Sequence, residues 1–194
     1  MFIDPSRIDT TALREAQRHA LLTTTGDHRL VRLPPGANPD GFVVRMRELP
    51  RRHVAYLRVF DPYQGGVLEA AEQLVTWATD RGLEGGTWLG YMWDDPEVVA
   101  LPDCRYDVGV VIPDVPTDGD VGRIVFPPMT VAEVVVRGDI ALEQRALDWL
   151  FGTWLPASGL LPDDQPAFEA WHGLPFAHGV EHYELTAQLP VRAP

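Results

Sequence analysis

The sequence predicts an α+β fold in which one module occurs twice, forming a curved antiparallel sheet covered by two main helices. Two observations lead to this prediction. A constant shift along the chain superposes much of the second half on the first, so that LPRRHVAYLRV (49–59) aligns with FPPMTVAEVVV (126–136). The hydrophobic period also changes in the same order in both halves, from strand-like to helix-like and back. We therefore expect a pseudo-twofold axis with a ligand cleft along it.

The repeat divides the chain into an extension and a domain. We place the two copies at residues 43–113 and 121–190, within a ligand-binding domain that covers 43–194. Residues 1–42 lie outside the repeat. They are predicted to form one helix plus a loop, because TTALREAQRHALL begins with threonines that suit a helix cap and LPPGANPDG contains turn residues.

Each copy is predicted to fold as strand, strand, helix, strand, strand. HVAYLRVF and TVAEVVVR are β-rich segments in matching positions. The helix GGVLEAAEQLVTWATDRG has apolar residues at spacings of three and four and ends at Gly82, and the second copy keeps its stripe at Leu147, Phe151 and Trp154. The later strands are TWLGYM and YDVGVVI in the first copy, and AFEAW and YELTAQL in the second.

The composition limits the classes of function. The chain has 194 residues, 45% hydrophobic and 23% charged, as is typical of a soluble globular domain, and its single cysteine excludes an internal disulfide framework. It has no long apolar run and no signal-peptide layout, so we expect a cytoplasmic protein with no membrane partner. Residues 61–194 contain six Arg against 22 Asp and Glu, a net charge of −16. This charge disfavours direct nucleic-acid binding and favours a cationic ligand or a basic protein surface.

Aromatic residues stand at the strand ends that would flank the cleft, and the alternative for each of them is ordinary core packing. They are Phe60, Tyr63, Tyr91, Trp93, Phe168 and Trp171. Glu169 stands out because it lies in the middle of an apolar strand, on the same face as Trp171. The alternative is a surface glutamate on a solvent-exposed face. At the repeat offset its counterpart is Met92, so the negative charge is expected on one side of the axis only, which suits a flat monocation.

These segments resemble the GyrI-like small-molecule-binding domain, also called the AraC effector-binding domain. The resemblance extends from Phe42 to the C-terminus. It rests on VAYLRVFDPY, WATDRGL, GYMWDDP, RYDVGVVIP, VVVRGDI, WLPASG, PAFEAW and YELTAQLP. The turn before the first helix departs from the family's usual Gly-Pro-Tyr, since this chain has Asp61-Pro62-Tyr63.

The resemblance implies a duplicated strand-helix-strand-strand module and a pocket that holds cationic, lipophilic drugs and dyes. It places the buried glutamate of that pocket at Glu169, with Trp171 and Tyr183 among its walls. Burial is expected to raise the pKa of Glu169 in the empty site. Relatives often couple this domain to a DNA-binding head, which we do not expect in this chain. The main prediction is a stand-alone multidrug-binding protein without a cofactor.

Two other functions remain open at this stage. One is a hydrolase that opens strained cyclopropane rings of DNA-alkylating natural products, with Glu169 and Tyr183 positioning or activating water. The other is an acidic protein-interaction module of the gyrase-inhibitor type.

No metal site is expected, because the loop HGLPFAHGVEH, with three histidines and Glu181, is broken by Gly and Pro. The sequence contains no nucleophile elbow, phosphate-binding loop or dinucleotide fingerprint.

Overall fold

A computed structural model describes residues 36–62, 65–94, 98–179 and 181–194. The helix predicted near the N-terminus and the predicted site residue Tyr63 lie outside the described residues. None of the helices in the described part of the chain combines the length and the apolar character that crossing a bilayer requires.

The described elements follow the predicted order in each half. The first half contains β1 (Arg45–Leu49), β2 (Arg52–Phe60), helix α1 (Val67–Thr79), β3 (Trp88–Met92), a 3-10 turn (Leu101–Asp103) and β4 (Arg105–Ile112). The second half begins with β5 (Gly122–Phe126), β6 (Met129–Gly138) and helix α2 (Ile140–Trp149). Helix α2 continues through a π-helical turn (Leu150–Trp154) into α3 (Leu155–Ser158), followed by β7 (Leu161–Pro162), β8 (Ala167–Trp171) and β9 (Tyr183–Arg192).

The nine strands of the described residues form one antiparallel sheet. Its order is β1-β6-β9-β8-β3-β4-β2-β5, with the short strand β7 beside β9. The counterparts in the two halves are β1 and β5, β2 and β6, β3 and β8, and β4 and β9. When each strand is exchanged for its counterpart, the order reads the same from the opposite end, as a twofold arrangement requires. The predicted α+β fold with a duplicated module is confirmed, and β3 and β8 meet at its centre.

The strand pairing shows which residues are equivalent in the two halves. Strands β2 and β6 match at the predicted offset, so Ala55 of β2 is equivalent to Ala132 of β6. Ala55 pairs with Val110 of β4, whereas Ala132 pairs with Leu189 of β9. Ala132 follows Ala55 by 77 residues, whereas Leu189 follows Val110 by 79 residues. The second half therefore contains two additional residues between its helix and its last strands, which a constant sequence shift does not reveal.

The two faces of the sheet have different environments, here called the helix face and the outer face. On the helix face, α1 and α2 pack on the main core, which includes Ala55, Leu57, Val108, Val110, Val134, Leu185 and Ala187. The outer face has a smaller buried cluster of Leu49, Val54, Leu89, Tyr91, Phe126, Met129, Val131 and Phe168. Neighbouring residues of a strand point to opposite faces, so each strand contributes to both clusters.

The apolar stripe predicted for the second helix, at Leu147, Phe151 and Trp154, is wrong at one position. Leu147 and Trp154 pack against the main core, but Phe151 is exposed and Leu150 is fully buried instead. The π-helical turn that begins at Leu150 has more residues per turn than an α-helix, which rotates the following side chains relative to the sheet.

Candidate functional site

Glu169 lies on β8 with its side chain on the helix face. It is 6% exposed, so the alternative of an ordinary surface glutamate is wrong. The hydroxyl of Tyr106, on β4, donates a hydrogen bond of 2.8 Å to Glu169 Oε2. Strand β3 lies between these two strands, and Tyr106 reaches across it at Gly90. A Cβ atom at Gly90 would lie 1.9 Å from the Tyr106 hydroxyl oxygen and 2.8 Å from Glu169 Oε2.

Gly90, and not Met92, is the structural counterpart of Glu169. Gly90 pairs with Val108 of β4, and Glu169 pairs with Ala187 of β9, so the larger offset that relates β4 to β9 also relates the central strands. Gly90 and Glu169 pair directly with each other, which places the pseudo-twofold axis between them. The carboxylate therefore has no side chain as its partner across the axis, and the space is available to Tyr106.

A second buried carboxyl group, Glu143 of α2, forms a hydrogen bond with Glu169. Burial raises the pKa of Glu143 well above its ordinary value, and the nearby charge of Glu169 raises it further. Burial also raises the pKa of Glu169, as expected, while hydrogen bonds from Glu143, Tyr106 and Trp171 oppose that rise. Two carboxylates in one buried site repel each other, so the pair shares a proton through the hydrogen bond between Glu143 and Glu169.

The two tyrosines beside the carboxyl pair stay neutral. Burial raises the pKa of Tyr106 and of Tyr183, and the carboxyl charges of Glu143 and Glu169 add to the rise in both cases. Among the described residues, neither carboxyl forms a salt bridge with an arginine or a histidine. The described part of the site thus contains hydrogen-bond donors and carboxyl groups but no cationic side chain paired with them.

Three aromatic rings form a cluster beside the carboxyl pair, with Trp171 and Tyr183 next to the carboxyl groups. The Trp171 ring lies 4.9 Å from that of Phe176 and 5.6 Å from that of Tyr183, and Phe176 meets Tyr183 edge-on at 6.2 Å. All three residues are less than a tenth exposed. The three rings thus pack against one another and are shielded from solvent, and Phe176 joins them from the loop between β8 and β9. Phe176 has a φ angle of 58°, a left-handed conformation that costs energy for a bulky residue.

The predicted site residues do not all lie together, and three of them belong to the outer face. Tyr91, Trp93 and Phe168 cluster there with Phe126, with the Tyr91 ring 4.5 Å from the Phe126 ring and 4.9 Å from the Phe168 ring. Phe168 directly precedes Glu169, so strand alternation alone separates them. The expectation that these rings share a cleft with Glu169 is corrected accordingly.

Phe60 also lies away from the carboxyl pair. It is 62% exposed, beside an open groove of about 600 Å³ between β2 and α1. The structure thus brings together Glu169, Trp171 and Tyr183 from the predicted set.

Sequence reasoning missed Glu143, Tyr106 and Phe176. Tyr106 carried a signal, because it aligns with Tyr183 at the repeat offset. Glu143 carried only a weak one: it lies three residues before Ala146 and therefore on the same face of the helix, but a glutamate on an amphipathic helix is usually a surface residue. Phe176 carried none, because its position depends on the path of a loop.

The histidine-rich loop does not form a metal centre in the part of the chain that the structure describes. No group of three or more His, Cys, Asp or Glu side chains there has the proximity to hold a metal ion. His172 contacts the Thr186 hydroxyl at 2.8 Å, and His182 lies 3.6 Å from Glu184.

Comparison with known proteins decides the family. Residues 42–192 match the family described as the GyrI-like small molecule binding domain. The chain belongs to the GyrI-like family. The GyrI-like domain is 32% identical over 157 residues to a protein named DNA gyrase inhibitor from Edwardsiella piscicida, covering 77% of this chain and 97% of that one. A DNA gyrase inhibitor from Pectobacterium carotovorum is 26% identical over 135 residues, covering 66% and 85%.

Solved structures share the fold of this GyrI-like domain at low sequence identity. The C-terminal domain of EcmrR has a TM-score of 0.58 at 14% identity, covering 79% of this chain and 99% of that one. SAV2435, solved with tetraphenylphosphonium bound, has a TM-score of 0.56 at 12% identity, covering 77% and 94%.

Proposed function

We propose that this GyrI-like domain binds bulky aromatic monocations, with the cationic centre beside Glu169 and aromatic groups against Trp171, Tyr183 and Phe176. The observation that carries the proposal is the buried carboxyl pair of Glu143 and Glu169, which has no cationic partner among the described residues. Burying a carboxylate is costly unless a positive charge or several hydrogen bonds compensate it. A bound cation supplies the charge that the protein lacks.

The shared proton sets the charge that the ligand must carry. With one proton shared between Glu143 and Glu169, the pair presents at most one negative charge in the empty site. A monocation neutralises that charge, whereas a dication would require both carboxyl groups to ionise. At an effective dielectric constant near 20, a cation about 4 Å from a carboxylate gains roughly 4 kcal/mol before its own desolvation is subtracted.

The aromatic cover supports affinity without demanding one shape. A cation near the face of a tryptophan or tyrosine gains about 0.5–2 kcal/mol per ring, depending on how far it is desolvated. Neither this interaction nor the attraction to Glu169 requires a particular outline of the ligand. We therefore expect affinities near 1 μM, about 8 kcal/mol, for chemically unrelated aromatic cations.

Binding requires the closed site to open. Trp171 and Tyr183 lie on the ends of β8 and β9, whereas Phe176 lies on the loop between these strands. Phe176 is therefore the ring that a ligand displaces at the lowest cost, and its left-handed backbone conformation favours a move away from the site. The ligand then takes the place of the phenylalanine ring beside Trp171 and Tyr183.

Calorimetric titration with tetraphenylphosphonium tests the proposal, because its positive charge does not depend on pH. We expect micromolar binding by the wild type, and binding weaker by about tenfold or more in Glu169→Gln. Glu84→Gln removes the same charge from an exposed turn and should leave the affinity unchanged. Triphenylphosphine oxide, which has similar rings and no net charge, should bind at least tenfold more weakly. Equal affinity of wild type and Glu169→Gln for tetraphenylphosphonium would refute the proposed role of the carboxylate.

A second candidate function is inhibition of DNA gyrase. It is favoured by the relative from E. piscicida, since the match covers 97% of a protein that carries this name. The acidic charge of residues 61–194 suits a basic protein surface. A supercoiling assay with purified gyrase tests it, and a result independent of Glu169→Gln would separate this activity from the cation site. Unchanged supercoiling at a large excess of the domain would exclude it.

Hydrolytic ring opening is a further candidate that the carboxyl pair favours. Two buried carboxyl groups that share a proton supply one acid and one base, an arrangement suited to general acid and base catalysis. Incubation with a cyclopropane-containing DNA-alkylating agent, followed by mass spectrometry, would detect the addition of water. Recovery of the intact compound from a complex with the domain would identify the protein as a binder.

A further inference from the structure

The outer face of the sheet contains a buried arginine. Arg52 begins β2 and is 8% exposed. Its guanidinium carbon lies 4.9 Å from the centre of the Phe168 ring and 5.8 Å from that of Phe126. One of its terminal nitrogens, Nη2, lies 3.4 Å from the sulfur of Met129. These contacts are with rings and a thioether, and none of them neutralises the guanidinium charge.

Tyr91 lies beside Arg52 and is 1% exposed. Its ring stacks on Phe126 and packs against Phe168, the same two rings that contact Arg52. Burial raises the pKa of Tyr91, and the neighbouring guanidinium lowers it only in part. The tyrosine is therefore neutral at physiological pH and does not act as the counter-charge of Arg52.

Arg52 and Tyr91 interact with each other, which raises the pKa of the arginine and lowers that of the tyrosine, but no hydrogen bond of normal length joins them. Each side chain has a buried polar group without a hydrogen-bond partner among the described residues. These groups are the Arg52 Nε–H and the Tyr91 hydroxyl. Burial lowers the pKa of Arg52 most, and Arg47, a charged side chain of the same sign, lowers it further. An arginine nevertheless keeps its proton at neutral pH. Arg52 is thus a permanent cation with an unused donor, next to a second unused donor.

We propose that Arg52 and Tyr91 form a binding site for a compact monovalent anion on the outer face, independent of the cation site on the helix face. An anion accepts hydrogen bonds from both donors and neutralises the guanidinium, which removes the penalty of an unpaired buried charge. A single negative charge matches the single positive charge of Arg52. Because the surrounding side chains are aromatic rings and Met129, we expect a small ion such as chloride and not a large organic acid.

The repeat supplies a matched variant for testing this site. Met129 is the equivalent of Arg52 in the second half, and the two side chains touch near the pseudo-twofold axis. The fold therefore accommodates a methionine at this place in a strand. Arg52→Met removes the charge and its donors while it keeps a side chain that packs on rings. Arg51→Met makes the same change at the neighbouring exposed position and serves as the control.

Thermal unfolding in sodium chloride and in sodium gluconate of equal ionic strength tests the proposal. We expect the wild type to melt about 3 °C higher in roughly 0.5 M chloride than in gluconate, because an ion that binds only the folded state stabilises it. Arg51→Met should keep this difference and Arg52→Met should lose it. A difference of equal size in Arg52→Met would show a general salt effect and overturn the proposal, as would a wild type that does not respond to chloride.

A second measurement keeps the proposal testable if Arg52→Met does not fold. Tyr91→Phe removes only the hydroxyl, so it should need about five- to tenfold more chloride for the same stabilisation. Line broadening in the chloride-35 NMR signal reports binding directly. We expect the wild type to broaden the chloride signal, and bromide to reverse this broadening by displacing the bound chloride. Tyr91→Phe should broaden the signal less. Equal broadening by wild type and Tyr91→Phe would exclude the hydroxyl from the site.

Discussion

Gly90 and Glu169 pair with each other across the two central strands, and the missing side chain at Gly90 leaves the space through which the Tyr106 hydroxyl reaches the Glu169 carboxylate. One position of a near-symmetric pair thus carries the charge, and the other makes room for the group that stabilises it. The asymmetry of the site arises from this pair, although the strand order around it is symmetric.

The first prediction concerns this space. Gly90→Ala places a methyl group 1.9 Å from the Tyr106 oxygen, so the tyrosine must move and the hydrogen bond to Glu169 breaks. We expect a loss of about 2 kcal/mol in the free energy of unfolding, measured by urea denaturation, and weaker tetraphenylphosphonium binding.

The control for this prediction is Gly85→Ala, since a Cβ atom at Gly85 has nothing within 4 Å. It should change the free energy of unfolding by no more than about 0.5 kcal/mol. Similar stability of Gly90→Ala and Gly85→Ala would contradict the close approach at Gly90.

The second prediction concerns stability and pH. The pKa values of Glu143 and Glu169 are raised in the folded state, so the folded protein binds more protons than the unfolded chain above about pH 4.5. The stability from this pair is present below that pH and is lost as pH rises through the folded-state pKa values. Glu143→Gln keeps a donor that does not titrate, so it should exceed the wild type at pH 8 by about 1 kcal/mol or more.

Chemical denaturation between pH 5 and pH 8 checks this outcome as a difference between variant and wild type. Salt-bridged carboxylates such as Asp94, whose pKa is lowered by Arg105, make stability rise with pH. Because they are present in both proteins, their contribution cancels in the difference. Glu84→Gln should follow the wild type throughout. Parallel pH curves for wild type and Glu143→Gln would show that Glu143 does not titrate in this range.

The third prediction concerns the additional proton that the carboxyl pair carries in the empty site when both Glu143 and Glu169 are protonated. A cation beside Glu169 favours the ionised form and lowers its pKa, so tetraphenylphosphonium should release up to one proton from the wild type. Calorimetry at pH 6 in two buffers with different ionisation enthalpies measures this number. We expect a larger release at lower pH and none from Glu169→Gln. Proton uptake on binding would be inconsistent with the proposed charge balance.

The fourth prediction concerns the ring that closes the site. Phe176→Ala should let a cationic rhodamine associate about tenfold faster, because about 1.4 kcal/mol of the opening barrier is removed. Stopped-flow fluorescence measures the association rate. Leu174→Ala changes a partly exposed residue of the same loop and is the control. If both variants associate at the wild-type rate, Phe176 does not limit access.

The fifth prediction separates the two aromatic clusters. Trp171→Phe removes an indole that donates to Glu169 on the helix face, so tetraphenylphosphonium should bind about fivefold more weakly. Trp93→Phe makes the same exchange on the outer face, where the indole donates to Asp107 at 2.6 Å, and should change the affinity by less than about twofold. A larger effect of Trp93→Phe would indicate that cations bind on the outer face.

Part of the candidate site followed from local sequence features. Glu169 was identified because a charged residue within an apolar strand is unusual, and Trp171 followed from strand alternation. The same alternation, applied to Phe168, separates it from Glu169. Glu143 was not identifiable in this way, because a glutamate on an amphipathic helix is ordinary until the helix is docked. The rotation of α2 over β8, and the loop path that brings Phe176 over Trp171, depend on contacts between distant segments.

The sequence by itself determined the duplicated α+β fold, the order of its elements and the strand that carries the buried carboxylate, because hydrophobic period and repeat spacing are local properties of the chain. Only the tertiary structure decided that Glu169 faces Gly90 and shares a proton with Glu143. The reason is physical: hydrogen-bond register between strands and helix docking bring together groups that are far apart in sequence, and a pKa responds to those neighbours and to burial.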